Sequence, residues 1–169
     1  MSDFDGLIEQ HIPRLRRYAR ALTGDRTAAD DLVQDTLERA LSRFHLWRQG
    51  SDLRAWLFTI MHNVFVNQVR SRARRYHESL ETEPAAEAVR APEPDWIELR
   101  DIANALSRLP HEQRAVVLLV GLEQFTYDEA AQVLGVPIGT VMSRLSRARE
   151  RLRTLLGGDF KAAALKVVK

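Results

Sequence analysis

Cysteine is absent from the 169 residues, which removes disulfides, thiolate metal sites and thiol redox switching together. Histidine is sparse: His11, His45, His62, His77 and His111 are scattered, with no i, i+4 pair of the kind a helical zinc site uses. No glycine-rich phosphate loop occurs either. Catalytic, metal-binding and cofactor-binding residues are therefore all assigned as none, and an enzyme is not expected. Apolar runs are short. None approaches the roughly 18 residues of a membrane span, and the opening MSDFDGLIEQ is acidic and lacks the basic and apolar segments of a secretion signal. The expectation is a soluble, cytoplasmic chain with no membrane insertion.

What remains is a composition suited to packed helices: 45% hydrophobic and 28% charged residues, enough for one ordinary domain or two small ones. The net charge of +2 conceals an uneven distribution. Arg70, Arg72, Arg74 and Arg75 crowd one segment, and Arg144, Arg147, Arg149, Arg151 and Arg153 crowd another. Between them Glu78, Glu81, Glu83, Glu87, Glu93 and Asp95 oppose a single Arg90. Two basic patches divided by an acidic spacer suggest two contacts with a polyanion.

The clearest local pattern lies between Thr126 and Arg153. Thr126 with Glu129 forms a capping-box signature, Ala130, Val133 and Leu134 give the following helix an apolar side, and Gly135 ends it. After Val136 and Pro137, a second helix carries Val141, Leu145, Ala148 and Leu152 as an inward stripe. Thr140, Arg144, Arg147 and Arg151 repeat the same spacing one residue earlier, a basic stripe about 100° around the helix. Helix, tight turn and arginine-bearing helix are what major-groove reading requires. Gly139, Thr140 and Ser143 permit close approach, and Arg144 and Arg147 can reach guanine edges or phosphates, whereas Arg149 and Arg153 lie off the stripe. The alternative is a solvated basic face on an ordinary helical hairpin.

Toward the N-terminus, one helix is expected from about Phe4 to Leu22, with Ile8, Ile12, Leu15, Ala19 and Leu22 inward and Pro13 either kinking it or marking its true start. Thr27 with Asp30 reads as the cap of the next helix, whose inner positions are Val33, Leu37, Ala40 and Phe44. Its other face carries an acidic stripe, Asp31, Asp35 and Glu38 beside Gln34, which repels itself mildly unless a basic partner covers it, the alternative being a merely solvated face. A polar loop, 45–52, contains Trp47 and Arg48. A third helix follows from near Asp52, with Leu53, Leu57, Ile60 and Val64 inward and Trp56 assigned to the core. Phe58, Phe65, Asn63 and Asn67 are left over ahead of the arginines, a set able to stack on and bond to unpaired bases, the alternative being that the aromatics are core.

DDLVQDTLERA, WLFTIMHNVFVNQVRSRARR, LPHEQRAVVLL and YDEAAQVLGVPIGTVMSRLSRARERL, in that order, resemble a bacterial extracytoplasmic-function (ECF) sigma factor of the sigma-70 family. The WLFTI…NVF combination is similar to the general-stress branch. The resemblance implies an all-α fold of two small helical domains: sigma region 2 over 1–78, a flexible linker over 79–94, region 4 with its helix-turn-helix over 95–160, and a tail over 161–169. It implies core RNA polymerase as partner, through the clamp helices of the largest subunit and the flap, together with promoter DNA and an anti-sigma factor that closes two otherwise independent domains. By position, Asp31, Gln34, Asp35 and Glu38 fall on polymerase docking. Trp47, Arg48, Asn63, Asn67, Arg70 and Arg74 fall on the −10 element, and Gly139, Thr140, Ser143, Arg144, Arg147 and Arg151 on the −35 element. Asn67 and Met142 depart from the Asp and Lys common in the family. A stand-alone helix-turn-helix regulator with an N-terminal sensing or dimerisation domain is the alternative; it would need neither the acidic stripe nor the amide and arginine helix.

Overall fold

The computed structural model describes residues 2–78 and 97–157, and these are helical with short connections. The linker and the tail read from the sequence lie outside the described residues. Where one helix was expected at the start there are two. α1 (Ser2–Glu9) ends before His11, and α2 (Ile12–Thr23) begins with Pro13 in its first turn, where a missing backbone N–H costs nothing. Pro13 thus marks a beginning. Gly24, at φ 69°, closes α2 in the left-handed region.

α3 (Arg26–Ser42) is capped two residues earlier than the sequence suggests. Asp25 accepts from the backbone N–H of Ala28 at 2.9 Å, and Thr27 lies inside the helix. A short 3-10 turn, Phe44–Leu46, leads into the loop, and Asp52 accepts from the Ala55 N–H at the start of α4. α4 (Leu53–Glu78) is 26 residues long, about 39 Å at 1.5 Å per residue. Leu53, Leu57, Ile60 and Val64 are buried as expected, and so are Phe58 and Phe65, which are core residues and not base-stacking ones. Trp56 is partly buried and packs edge-on against Phe4.

The second half comprises α5 (Ile97–Ser107), α6 (His111–Val117) with a π-helical continuation over Leu118–Leu122, α7 (Tyr127–Leu134) and α8 (Ile138–Leu155). On α5 Ile102 and Leu106 are partly buried and Leu99 is exposed, and just beyond its end Leu109 is buried. The capping box is present in full: Thr126 Oγ1 accepts from the Glu129 N–H and Glu129 Oε1 accepts from the Thr126 N–H, each at 3.2 Å. Gly135, at φ 66°, ends α7, and Val141, Leu145, Ala148 and Leu152 all face inward on α8. A helix-turn-helix results.

The two halves do not stand apart. α4 packs on α7, and α2 packs on α5, α6 and the π segment, so one apolar core runs through both. Tyr18, Phe58 and Phe125 stack edge to face in sequence, at 5.2 and 5.3 Å between centroids. The Phe58–Phe125 pair is an aromatic contact that crosses between the halves, and an edge-to-face pair of this kind adds about 0.5–1.5 kcal/mol beyond its area burial. In the described residues the two halves, expected to move independently, are packed together in one closed arrangement.

Candidate polymerase and nucleic-acid interfaces

On α3, Asp31, Gln34 and Glu38 are exposed and Asp35 is partly buried. Gln34 donates to Glu38 Oε1 at 3.3 Å, and Gln68 of α4 donates to Asp35 Oδ2 at 3.1 Å. A groove of about 320 Å³ separates α3 from α4 and is lined by Asp31, Asp35, Arg39, Asn67, Gln68 and Arg72 among others. The acidic stripe is thus a real surface feature, fixed to the neighbouring helix through one carboxylate.

On α4, Asn63, Asn67, Arg70 and Arg74 are all exposed. Their spacing of four, three and four places them on one side of the helix. Arg48 is exposed in the preceding loop, but Trp47 separates from this group: it packs against Phe4 at 5.8 Å and is part of the core's edge. The buried indole N–H of Trp47 has no partner within the described chain.

On α8, Gly139, Ser143, Arg147 and Arg151 are exposed, whereas Thr140 and Arg144 are half-buried. Arg144 leans toward the body of the protein, 3.8 Å from Glu112 of α6. It also lies close enough to His62 of α4 that, after burial, its charge helps push the imidazole below its ordinary pKa. In the closed arrangement the arginine helix of one half therefore adjoins the amide and arginine helix of the other.

Sequence reasoning missed the residues that hold the halves together. Glu123, whose side chain is 0% exposed, accepts from Arg17 at 3.0 Å, and Arg54 donates to the Glu123 carbonyl at 3.1 Å. Arg54 also reaches Glu129 at 3.6 Å and sits 4.1 Å above the Phe125 ring. Arg114 donates to the carbonyls of Leu22, Leu106, Ser107 and Leu109 at 2.7–2.9 Å, tying α2 to the end of α5. Burial pushes the Tyr18 phenol up, and the nearby Glu123 carboxylate adds to the shift, so it stays protonated. Charged residues within apolar runs, Arg114 before Ala115–Val120 and Glu123 after them, were the available signal.

Among the described residues no cluster of three or more His, Asp or Glu side chains could hold a metal ion, and no helix is long and apolar enough to cross a membrane.

Comparison with known proteins decides the family. Residues 8–62 match the family "Sigma2 domain of PhyR" and residues 99–152 match "Sigma-70, region 4". The ECF RNA polymerase sigma factor EcfG of Rhodopseudomonas palustris (strain TIE-1) is 40% identical over 155 residues, covering 88% of this chain and 82% of the relative. The chain belongs to the ECF RNA polymerase sigma factors. The sigma factor RpoE from Bartonella quintana, solved with the anti-sigma factor NepR, has a similar structure: TM-score 0.82, 38% identity, covering 94% of this chain and 99% of that one. CnrH, solved with the cytosolic domain of CnrY, gives a TM-score of 0.68 at 30% identity over 92% of this chain and 88% of that one. As a sigma factor the chain directs core polymerase to promoters, and the helix-turn-helix lies in its region 4.

Gly139 offers a clean test of how close α8 comes to its target. A Cβ there would meet nothing within 4 Å, so the protein itself does not require glycine. Gly139→Ala is expected to leave stability unchanged or raise it by up to about 1 kcal/mol, while weakening binding to −35 DNA at least threefold. Thermal unfolding and holoenzyme–DNA titration, run on the same preparation, check both halves of that expectation.

Proposed function

We propose that the sigma factor distributes its work over three exposed stripes. Asp31, Gln34, Asp35 and Glu38 on α3 dock on basic residues of core RNA polymerase, at the clamp helices. Asn63, Asn67, Arg70 and Arg74 on α4, with Arg48, contact the −10 element during melting, and the exposed side of α8 enters the major groove at −35. The chain performs no chemistry and works in the cytoplasm, within a stress response. The observation that carries this reading is the separation of one acidic and two basic helical stripes, each on its own face, in a chain of this family. Incubation with core polymerase followed by gel filtration tests it: co-elution as a stable complex is expected, and separate elution overturns the docking assignment.

The closed form cannot be the one that reads a promoter. Elements centred near −35 and −10 are about 25 base pairs apart, roughly 85 Å of duplex at 3.4 Å per base pair. Here α4 packs on α7 and α7 on α8, and packed helices lie about 8–10 Å apart, so α4 and α8 are only about two helix spacings from each other and must separate first. The interface suits release. It mixes apolar stacking with a buried carboxylate whose Oε2 has no hydrogen-bond partner, and burying an incompletely satisfied charge offsets part of the apolar gain. An anti-sigma factor that holds both halves would keep this form. The groove of about 560 Å³ between α2 and α5, rimmed by Arg16 and Arg20 with Leu99 at its edge, offers an acidic amphipathic helix contact with both.

Arg17→Glu tests the closure. Arg17 is 54% exposed, so the substitution is compatible with folding of each half, but it sets a second carboxylate against the buried Glu123. Small-angle scattering should show a larger radius of gyration with helix content unchanged. An unaltered radius would mean that this ion pair does not hold the halves together.

A further inference from the structure

The exposed end of α8 contains a surface that charge-based reading leaves unused. Ile138 and Met142 are 38% and 47% exposed. They stand four residues apart and so share one side of the first two helical turns. Neither is among the side chains packed on the core. Gly139 and Ser143 are exposed beside them, with Arg147 one turn further on. The opposite flank is Thr140 and Arg144, both half-buried, with the Arg144 guanidinium drawn toward Glu112. The Ser143 hydroxyl donates to the Thr140 carbonyl at 3.2 Å, leaving its oxygen to accept. The leading turns therefore present an apolar strip, a bare backbone and a hydroxyl before the first exposed arginine.

A strip of this kind has one complement on a base edge. Isoleucine offers no donor or acceptor and methionine only a weak sulfur acceptor, so neither can pair with the polar atoms of guanine, adenine or cytosine. Neither carries charge, so neither is drawn to phosphate. The apolar group of the major groove is the thymine C5-methyl. Met142, unbranched and polarisable, can settle on it without a fixed geometry.

Resting on the assignment of α8 to the −35 element, we propose that Ile138 and Met142 are specificity-determining residues that read thymine methyl groups there, on either strand. Met142 thereby supplies direct base readout at a position where the family commonly carries lysine.

Deoxyuridine differs from thymidine only by that methyl, which makes the test specific. A promoter is first selected from a pool randomised at −35 by holoenzyme reconstituted with the full chain. Each thymine of the selected element is then replaced singly by deoxyuridine, and binding is measured for the wild type, Met142→Ala, Met142→Lys and Arg147→Ala, with circular dichroism to establish that each is folded. The wild type should lose about threefold to tenfold at one or two positions; Met142→Ala should show no deoxyuridine penalty at one of them, and Ile138→Ala, measured alongside, should lose it at the other or reduce it where the two residues share one methyl. Met142→Lys should also lose the penalty and gain about one unit of salt slope. A selected element lacking thymine on both strands, a wild type indifferent to every replacement, or a Met142→Ala variant keeping the full penalty would each overturn the proposal. Failure of the parent assignment looks different: Arg147→Ala would then keep the wild-type rank order across all −35 variants.

Discussion

Replacing Arg114 by methionine is expected to destabilise the folded chain by about 3–5 kcal/mol, although the two side chains fill similar space. The Arg114 guanidinium donates to four carbonyls, those of Leu22, Leu106, Ser107 and Leu109. These belong to the final turns of α2 and α5 and to the residues just beyond, where helix carbonyls commonly lack partners; of the four, the Leu106 carbonyl also accepts from the Leu109 backbone N–H at 3.1 Å. Burial pushes the Arg114 pKa down from its ordinary value, yet a guanidinium keeps its proton in a protein, so all of these bonds are charge-assisted. Methionine would leave the carbonyls of Leu22, Ser107 and Leu109 without the guanidinium and desolvated, and that of Leu106 with only its backbone bond. Lysine should recover less than half of the loss, because one ammonium cannot fork across four acceptors on two helices. Urea unfolding followed by circular dichroism measures this. A loss below about 1 kcal/mol for Arg114→Met would mean that other groups close these helix ends.

Reversing charge at Asp31 and Asp35 together is expected to lower affinity for core polymerase by at least about a hundredfold, since like charges facing each other across an interface cost several kcal/mol. Asp31 is exposed and contributes no packing; Asp35 gives up a single hydrogen bond from Gln68. The effect on folding should therefore stay near 1 kcal/mol or less. Gel filtration with core polymerase reads the first quantity and thermal unfolding the second. Normal co-elution of a folded Asp31→Arg, Asp35→Arg variant would move the docking face elsewhere.

Much of the fold was legible because helical period and caps are local signals. The stripe Val141, Leu145, Ala148 and Leu152, the Thr126 and Glu129 box and the turn at Gly135 all stand where the spacing put them. Caps were legible only where competing residues were absent. Thr27 with Asp30 imitated a capping box, but Asp25, just after the left-handed Gly24, reaches the Ala28 N–H first. Burial misled in the same helix that was otherwise well read: Phe58 and Phe65 looked like spare aromatics because the stripe of one face had been counted, whereas α4 is covered by α3 on one side and α7 on another. Contacts between the halves were not legible at all. Arg17 and Glu123 are 106 residues apart, and no periodicity connects them. For the stripes, the sequence supplied position; the structure added exposure, turning Arg144 aside toward Glu112, leaving Arg147 outward and setting Trp47 against Phe4.

Transcription by reconstituted holoenzyme from a panel of single-base −35 variants tests the central claim most directly, that this chain carries promoter specificity to core polymerase and that α8 reads the upstream element. Core enzyme with the chain should initiate at a defined subset of the panel, core alone at none of it. Arg147→Ala should change the rank order of the promoters, because a good arginine–guanine contact discriminates by about 1–3 kcal/mol. Arg153→Ala should weaken all of them about equally. Initiation that is no more selective with the chain than without it, or a rank order untouched by Arg147→Ala, would contradict the account.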